Sequence, residues 1–130
     1  MIVVDASALL ELLLRTPAAE RVKMRLVHTR RTLHAPHLLD LEVVQVVRRY
    51  AAAGEIDAER ARAALVDLIE LPLQRHPHHS LLSRVWDLRH NLTAYDAVYV
   101  ALAEALNASL LTRDRRLAAA ARVHARVDLI

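Results

Sequence analysis

A single glycine, Gly54, serves a chain of 130 residues. Phosphate-cradling loops need several glycines, because only glycine lets a run of backbone N–H groups come close against phosphate oxygens. A dinucleotide fingerprint, a P-loop and a glycine-flanked serine elbow are therefore excluded. Cysteine is absent as well, which removes disulfides, thiolate-held zinc and thiol nucleophiles. Any phosphate chemistry must come from other side chains, and carboxylates holding a metal with arginines in support are what remains.

The length suits one domain over residues 1–130, inside the usual range of about 50–250. Apolar residues make up 55% of the chain, above the roughly 45–50% of an average soluble domain, and the surplus suggests a subunit or partner interface. Arginine supplies 17 of the 18 basic residues, against 15 acids, for a net charge of +3. The guanidinium fork suits phosphate, so an anionic partner such as nucleic acid fits, although solvated arginine faces explain the same composition equally well. The opening MIVVDASALLELLLRT lacks a basic leader, and no uncharged apolar run reaches the roughly 18 residues of a membrane span, so a cytoplasmic protein with no membrane association is expected.

Hydrophobic periodicity places strands at Ile2–Val4, Thr32–Ala35, Leu71–Arg75, Ser109–Thr112 and Arg126–Ile130. Helices are expected over Ala6–Leu14, Ala18–Val27, Leu38–Ala53, from Asp57 through Ile69, Leu81–Leu88, Thr93–Leu106 and Arg115–Ala121. Gly54 is placed to end the third of these. Alternation of strand and helix implies an α/β fold with a mainly parallel sheet of four or five strands and helices on both faces.

In open α/β sheets, ligands bind beyond the carboxyl ends of the strands. Asp5 closes the first strand and Asp114 follows the fourth. Either is also explained as the N-cap of the helix that follows it. Glu42 lies inside a helix where no cap is needed, and Leu38, Leu39 and Val46 project within about 60° of it, so it borders the buried stripe. A carboxylate there is costly without a partner or metal; pairing with Arg49 or reaching solvent are the plain alternatives. Asp96 completes a capping box with Thr93 and sits in a first helical turn, which favours anions. Four acids from separate segments meeting at one sheet edge would raise one another's pKa unless a cation neutralised them. Magnesium takes such oxygen ligands, can activate water, and stabilises charge on a phosphoryl group. Arg48 and Arg49 follow Glu42, and Arg113, Arg115 and Arg116 flank Asp114. These could hold a nucleic-acid backbone, or simply be solvated helix faces.

The segments MIVVDASALLELLL, HAPHLLDLEVVQVVRR and LRHNLTAYDAVYVALAEALNASLLTRD, in that order, resemble the PIN-domain proteins, and most closely the VapC toxins of type II toxin–antitoxin systems. The resemblance spans nearly the whole chain and rests on the ordered set of four acids. It implies a three-layer α/β/α fold with a parallel five-stranded sheet, and a ribonuclease dependent on Mg2+ or Mn2+. It implies that Asp5, Glu42, Asp96 and Asp114 are the catalytic, metal-holding acids, with Ser7, Asn91 and Thr112 as supporting polar residues. It further implies a homodimer, a VapB-type antitoxin covering the site, and an RNA substrate such as tRNA or rRNA. The stretch RDRRLAAAA lacks the aromatic residue often found there in the family. Asp40, about 200° from Glu42, reads as a helix-start or surface residue.

Other features carry less. His76, His78 and His79 around Pro77, and His34 and His37 around Pro36, lack the spacing that puts two ligands on one helix face, and read as surface-loop residues. Trp86 and Tyr50 read as packing residues, since one tryptophan and three tyrosines support a base-stacking groove poorly. A phosphoacceptor receiver would need paired acids after the first strand and a late lysine, whereas Asp5 stands alone there and Lys23 is early. A dehalogenase-type phosphatase would need Asp where Ser7 stands. The remaining alternative is an inactive PIN fold acting only through antitoxin and operator complexes, which the full set of four acids disfavours.

Overall fold

A computed structural model describes residues 1–27 and 31–130. Five strands, β1 (Ile2–Val4), β2 (Leu33–Pro36), β3 (Leu73–His76), β4 (Ser109–Thr112) and β5 (Val127–Leu129), form one sheet in the order β3-β2-β1-β4-β5. Every neighbouring pair is parallel. The helices are α1 (Ala6–Leu13), α2 (Ala19–Val27), α3 (Leu38–Ala52), α4 (Ala58–Glu70), α5 (Leu82–Asp87), α6 (Ala94–Leu106) and α7 (Arg115–Ala121). α1 packs with α2, α3 and α4, while α5 packs with α6, giving helical layers around the sheet in an α/β/α arrangement. Among the described residues, no helix is long and apolar enough to cross a membrane.

Both faces of a parallel sheet must be covered, and the burial follows that rule. Ile2, Val3 and Val4 are buried in succession, as are Ser109 to Thr112. α6 is buried without interruption from Ala97 to Ala103, and it touches β1, β2 and β4. A helix apolar on all sides belongs at the centre of the core, and small alanines let it approach the strands.

Helix ends follow local chemistry. Asp57 caps α4 by accepting the Arg60 N–H at 2.7 Å. Gly54 stands at φ +73° just beyond α3, where the Glu55 N–H reaches the Tyr50 carbonyl at 2.9 Å and the Gly54 N–H the Ala51 carbonyl at 3.1 Å. This double bond pattern of a left-handed helix stop explains where the only glycine is used. α6 stops in the same way with Asn107 at φ 49°.

Most element bounds lie within one residue of the sequence expectation, and two strand shifts have clear causes. β3 begins at Leu73 rather than Leu71, because the Leu71 N–H still closes α4 on Asp67 and Pro72 has no N–H to give a ladder. β2 runs through Pro36, whose missing donor falls at the strand end, where the His37 N–H takes over by reaching the His76 carbonyl at 3.0 Å.

Three expectations for single side chains are corrected. His34 is no surface-loop residue: it is only 3% exposed on β2, and its Nδ1 lies 2.9 Å from Nε2 of His76 on β3, with the two rings stacked. Burial first, and then the His76 ring and the N-terminal amine, push the His34 pKa below its ordinary value. Trp86 does not pack in the core; it is 66% exposed, with the Arg89 guanidinium 4.5 Å over its ring. His76 sits on β3 rather than in a surface loop, while Asp40 does stand in the first turn of α3 as expected, both its carboxylate oxygens accepting from Arg75 Nε at 3.0 and 2.8 Å.

Candidate active site at the carboxyl edge of the sheet

From β1 the chain builds outward through β2 to β3, then returns to the other side of β1 for β4 and β5. The reversal lies between β1 and β4. At such a switch point the connections leave in opposite directions, and a crevice opens beyond the strand ends. A pocket of about 870 Å³ lies there. Asp5 enters it from the end of β1, Glu42 from α3, Asp96 from the first turn of α6, and Asp114 from the turn after β4.

Asp5 is the most embedded of these, at 5% exposure. Its Oδ1 accepts the Ser7 hydroxyl at 2.7 Å and the Ala8 N–H at 3.1 Å, and its Oδ2 accepts the Thr112 hydroxyl at 2.7 Å. Ser7 in turn accepts the Arg113 N–H and Thr112 the Asp114 N–H, both at 2.9 Å. Each hydroxyl proton is thereby directed at Asp5, and β1 is tied to the loop that carries Asp114. The capping roles expected from the sequence are present too. Asp5 caps α1, and Asp114 Oδ1 caps α7 by accepting the Arg116 and Leu117 N–H groups at 2.8 and 3.0 Å. The Thr93 hydroxyl accepts the Asp96 N–H at 3.2 Å, which forms one half of the capping box.

Glu42 pairs with a group the sequence reading did not connect to it. Its Oε1 accepts the Tyr99 hydroxyl at 2.7 Å, so Tyr99 rather than Arg49 is its bonded partner. Burial is the largest influence on Asp5, Glu42 and Asp96, and it raises the pKa of all three. Asp114 pushes Asp5 and Asp96 further up, and Asp5 and Asp96 push Glu42. Hydrogen bonds from Thr112, Ser7 and Ala8 oppose the shift at Asp5, and Arg116 and Thr93 oppose it at Asp96. Ionisation of these three acids is thus less favourable than in water, and a positive charge joining them would ease it.

The donor set fits a hard divalent cation, being entirely oxygen from carboxylates and hydroxyls. Among the described residues, no three His, Asp or Glu side chains form a tight ligand group; the four acids instead line one pocket. The caps explain part of that spread, because Asp5 and Asp114 each commit an oxygen to backbone N–H groups.

The expected supporting residues divide. Ser7 and Thr112 bond Asp5, while Asn91 is exposed after α5 and lies outside the pocket lining. Among the arginines, Arg49 and Arg113 line the pocket. Arg48 is one position, about 100°, away from that α3 face, and Arg115 is exposed on α7. Arg116 is exposed as well, but its charge reaches Asp96.

Of the lining residues that the sequence did not single out, Glu11 and Tyr99 bond other groups of the site. Glu11 stands four residues after Ser7 on α1 and pairs with Arg113 across the pocket rim. Tyr99 stands three residues after Asp96 on α6. Both spacings put the pair on one helix face, and that was the available signal. All three tyrosines, Tyr50, Tyr95 and Tyr99, line this pocket, so Tyr50 is part of the site wall rather than only a packing residue.

Comparison with known proteins agrees with this geometry. The model of the PIN domain matches residues 2–123. Ribonuclease VapC1 of Mycobacterium tuberculosis is 45% identical over 129 residues, covering 98% of this chain and 96% of that protein. Ribonuclease VapC9 of the same species is 47% identical over 117 residues, covering 90% and 88%. The crystal structure of VapBC2 from Rickettsia felis, bound to a DNA fragment from their promoter, superposes with a TM-score of 0.70. That match covers 98% of each chain at 13% identity, a likeness of fold alone. With the acids, the switch-point pocket and these relatives together, the chain belongs to the PIN-domain family and, within it, to the VapC ribonucleases.

Proposed function

We propose that this chain is a divalent-metal-dependent endoribonuclease toxin that hydrolyses RNA phosphodiesters and so inhibits translation and growth. One observation carries the reading: four acids from four elements line a single pocket at the sheet's switch point, and three of them are raised in pKa by burial and by one another. Asp5, Glu42, Asp96 and Asp114 would hold Mg2+ or Mn2+. When bound, the cation would supply Lewis-acid stabilisation of the phosphoryl charge and make water at the site more acidic.

The chain's own residues do the rest. Ser7 and Thr112 orient the Asp5 carboxylate through its two oxygens. Arg49 and Arg113 at the rim attract backbone phosphates, with Arg116 close enough to temper Asp96; Arg48 and Arg115 contribute only to the wider positive field. Asn91, exposed and outside the pocket lining, is given no catalytic role in this reading. The partner is a VapB-type antitoxin, in line with the VapBC complex of the Rickettsia relative, and the substrate is tRNA or rRNA. Exposed apolar side chains on α3 and α4 away from the pocket, Val44 at 40% and Ile69 at 76%, support a homodimer, and the protein acts in the cytoplasm.

The test is RNA cleavage by the purified chain with Mg2+ or with EDTA, alongside Asp96→Asn. Cleavage that is lost in EDTA and lost in the folded variant is the expected outcome. Equal cleavage by parent and Asp96→Asn removes the metal-site assignment. No chelator-sensitive cleavage by the parent favours the inactive binding module instead.

A further inference from the structure

Glu42 and Tyr99 approach the pocket from different helices, α3 and α6. The Tyr99 side chain is 1% exposed, so its ring position is set by the core and not by solvent. Its hydroxyl reaches Glu42 Oε1 at 2.7 Å, the length of a strong bond to a carboxylate. That bond ties one acid-bearing helix to the other across the pocket. It also takes a lone pair on Oε1 and lowers the donor strength of that oxygen, leaving Oε2 as the better ligand.

We propose that the Tyr99 hydroxyl is a positioning group that makes Glu42 a one-oxygen donor, and thereby biases the pocket toward small octahedral cations over calcium. The inference rests on the reading of Glu42 as a metal-holding residue. Its basis is the difference between the ions. Ca2+ accepts carboxylates through both oxygens in a loose shell of about 6–8 ligands, whereas Mg2+ demands near-octahedral geometry and takes one oxygen from each carboxylate. A carboxylate with one oxygen engaged suits the second ion and handicaps the first. A tyrosine merely satisfying its buried hydroxyl would have no such consequence for ion choice.

The test uses the RNA-free full chain and two cations, Mn2+ and Ca2+, titrated by calorimetry. Tyr99→Phe keeps the ring and removes the hydroxyl. The expected result is Mn2+ affinity lowered by about tenfold, the scale of losing a group that orients a ligand, with Ca2+ affinity lowered less, so the preference for Mn2+ narrows. A preference unchanged from the parent overturns the proposal. If Tyr99→Phe does not fold, Glu42→Gln decides. A one-oxygen donor that suits the smaller ion costs Mn2+ more than Ca2+ when it becomes an amide, whereas an equal loss or a selective loss of Ca2+ shows that Glu42 chelates and overturns the proposal. A parent that binds neither ion and cuts RNA in EDTA overturns the metal reading along with this one. A parent that binds Mn2+ while Tyr99→Phe leaves the ion preference untouched overturns only the role of Tyr99.

Discussion

Two glutamates on helices of the same chain show what separates the site from its scaffold. Glu104 on α6 accepts Arg84 Nε and a terminal guanidinium nitrogen at 2.7 and 2.8 Å, and Arg84 is the chief reason its pKa falls below the ordinary value. Glu42 on α3 has its pKa raised by burial first and then by Asp5 and Asp96, against the opposing hydrogen bond from the neutral Tyr99 hydroxyl. Asp40 is likewise paired with an arginine. It meets Arg75, which also bonds the Leu68 carbonyl at 2.9 Å and so joins α3, α4 and β3. Glu104 and Asp40 in the scaffold are each paired with an arginine. Asp5, Glu42 and Asp96 in the pocket face other acids, with Arg116 tempering Asp96, and an incoming cation would relieve the repulsion.

The sharpest way to break this contrast is Asp5→Asn. Cleavage should fall by at least about a hundredfold, above the roughly 10–100-fold typical of groups that support a ligand, while circular dichroism and gel filtration stay unchanged. Thr112→Val comes next. It removes the donor to Asp5 Oδ2 and the acceptor for the Asp114 N–H, so cleavage should fall by about 10–100-fold and stability by about 1–3 kcal/mol in urea titration. Unchanged cleavage would show that Asp5 needs no such support.

Arg75→Ala tests the scaffold side. It should lower stability by about 1–2 kcal/mol, discounted for the partial exposure of the pair, and leave the rate per folded molecule alone. A lost rate would mean that Asp40 and Arg75 belong to the site.

Acidity distinguishes the two groups of acids in one measurement. Asp5, Glu42 and Asp96 have pKa values raised in the folded state, so their contribution is complete below the ordinary carboxylate range and is lost as pH rises through the elevated values. Glu104 is depressed, so its contribution is present above that range and is lost as pH falls. In EDTA, these three acids should therefore lower the melting temperature as pH rises above the ordinary carboxylate range, and Mg2+ should restore it most where they are ionised. A melting temperature indifferent to Mg2+ at neutral pH would contradict the account of the pocket. The smallest effect belongs to Asn91→Ala. With the side chain exposed and outside the pocket, cleavage should change by less than about twofold, as is usual for surface positions.

Local chemistry made much of this legible in advance. Asp57, Thr93, Asp114 and Gly54 mark helix ends that the structure uses for the stated reasons, because caps and left-handed stops depend on a few neighbouring residues. Strand against helix followed from side-chain period. The ordered acids pointed to a carboxyl-edge pocket once the strands were taken as parallel. Tyr99 and Glu11 were harder. Each lies at an interval of three or four residues from a residue already singled out, but that interval also describes ordinary packing, and their partners are 57 and 102 positions away in the chain. His34 and Trp86 went the other way, one buried and one exposed against expectation. Burial of a half-polar side chain depends on which strand or helix comes to lie over it.

The sequence by itself determined the elements, the class of fold and the carboxylate character of the site, since these depend on period, caps and the absence of glycine-rich and thiol chemistry. Only the tertiary structure decided which groups face which. It put β4 beside β1 so that Thr112 could hold Asp5, gave Glu42 a tyrosine in place of an arginine, and turned Arg49 and Arg113 toward the pocket while leaving Arg48 and Arg115 outside. Those choices are made by contacts between residues far apart in the chain, and their energies exist only once the sheet order and helix packing have brought the partners together.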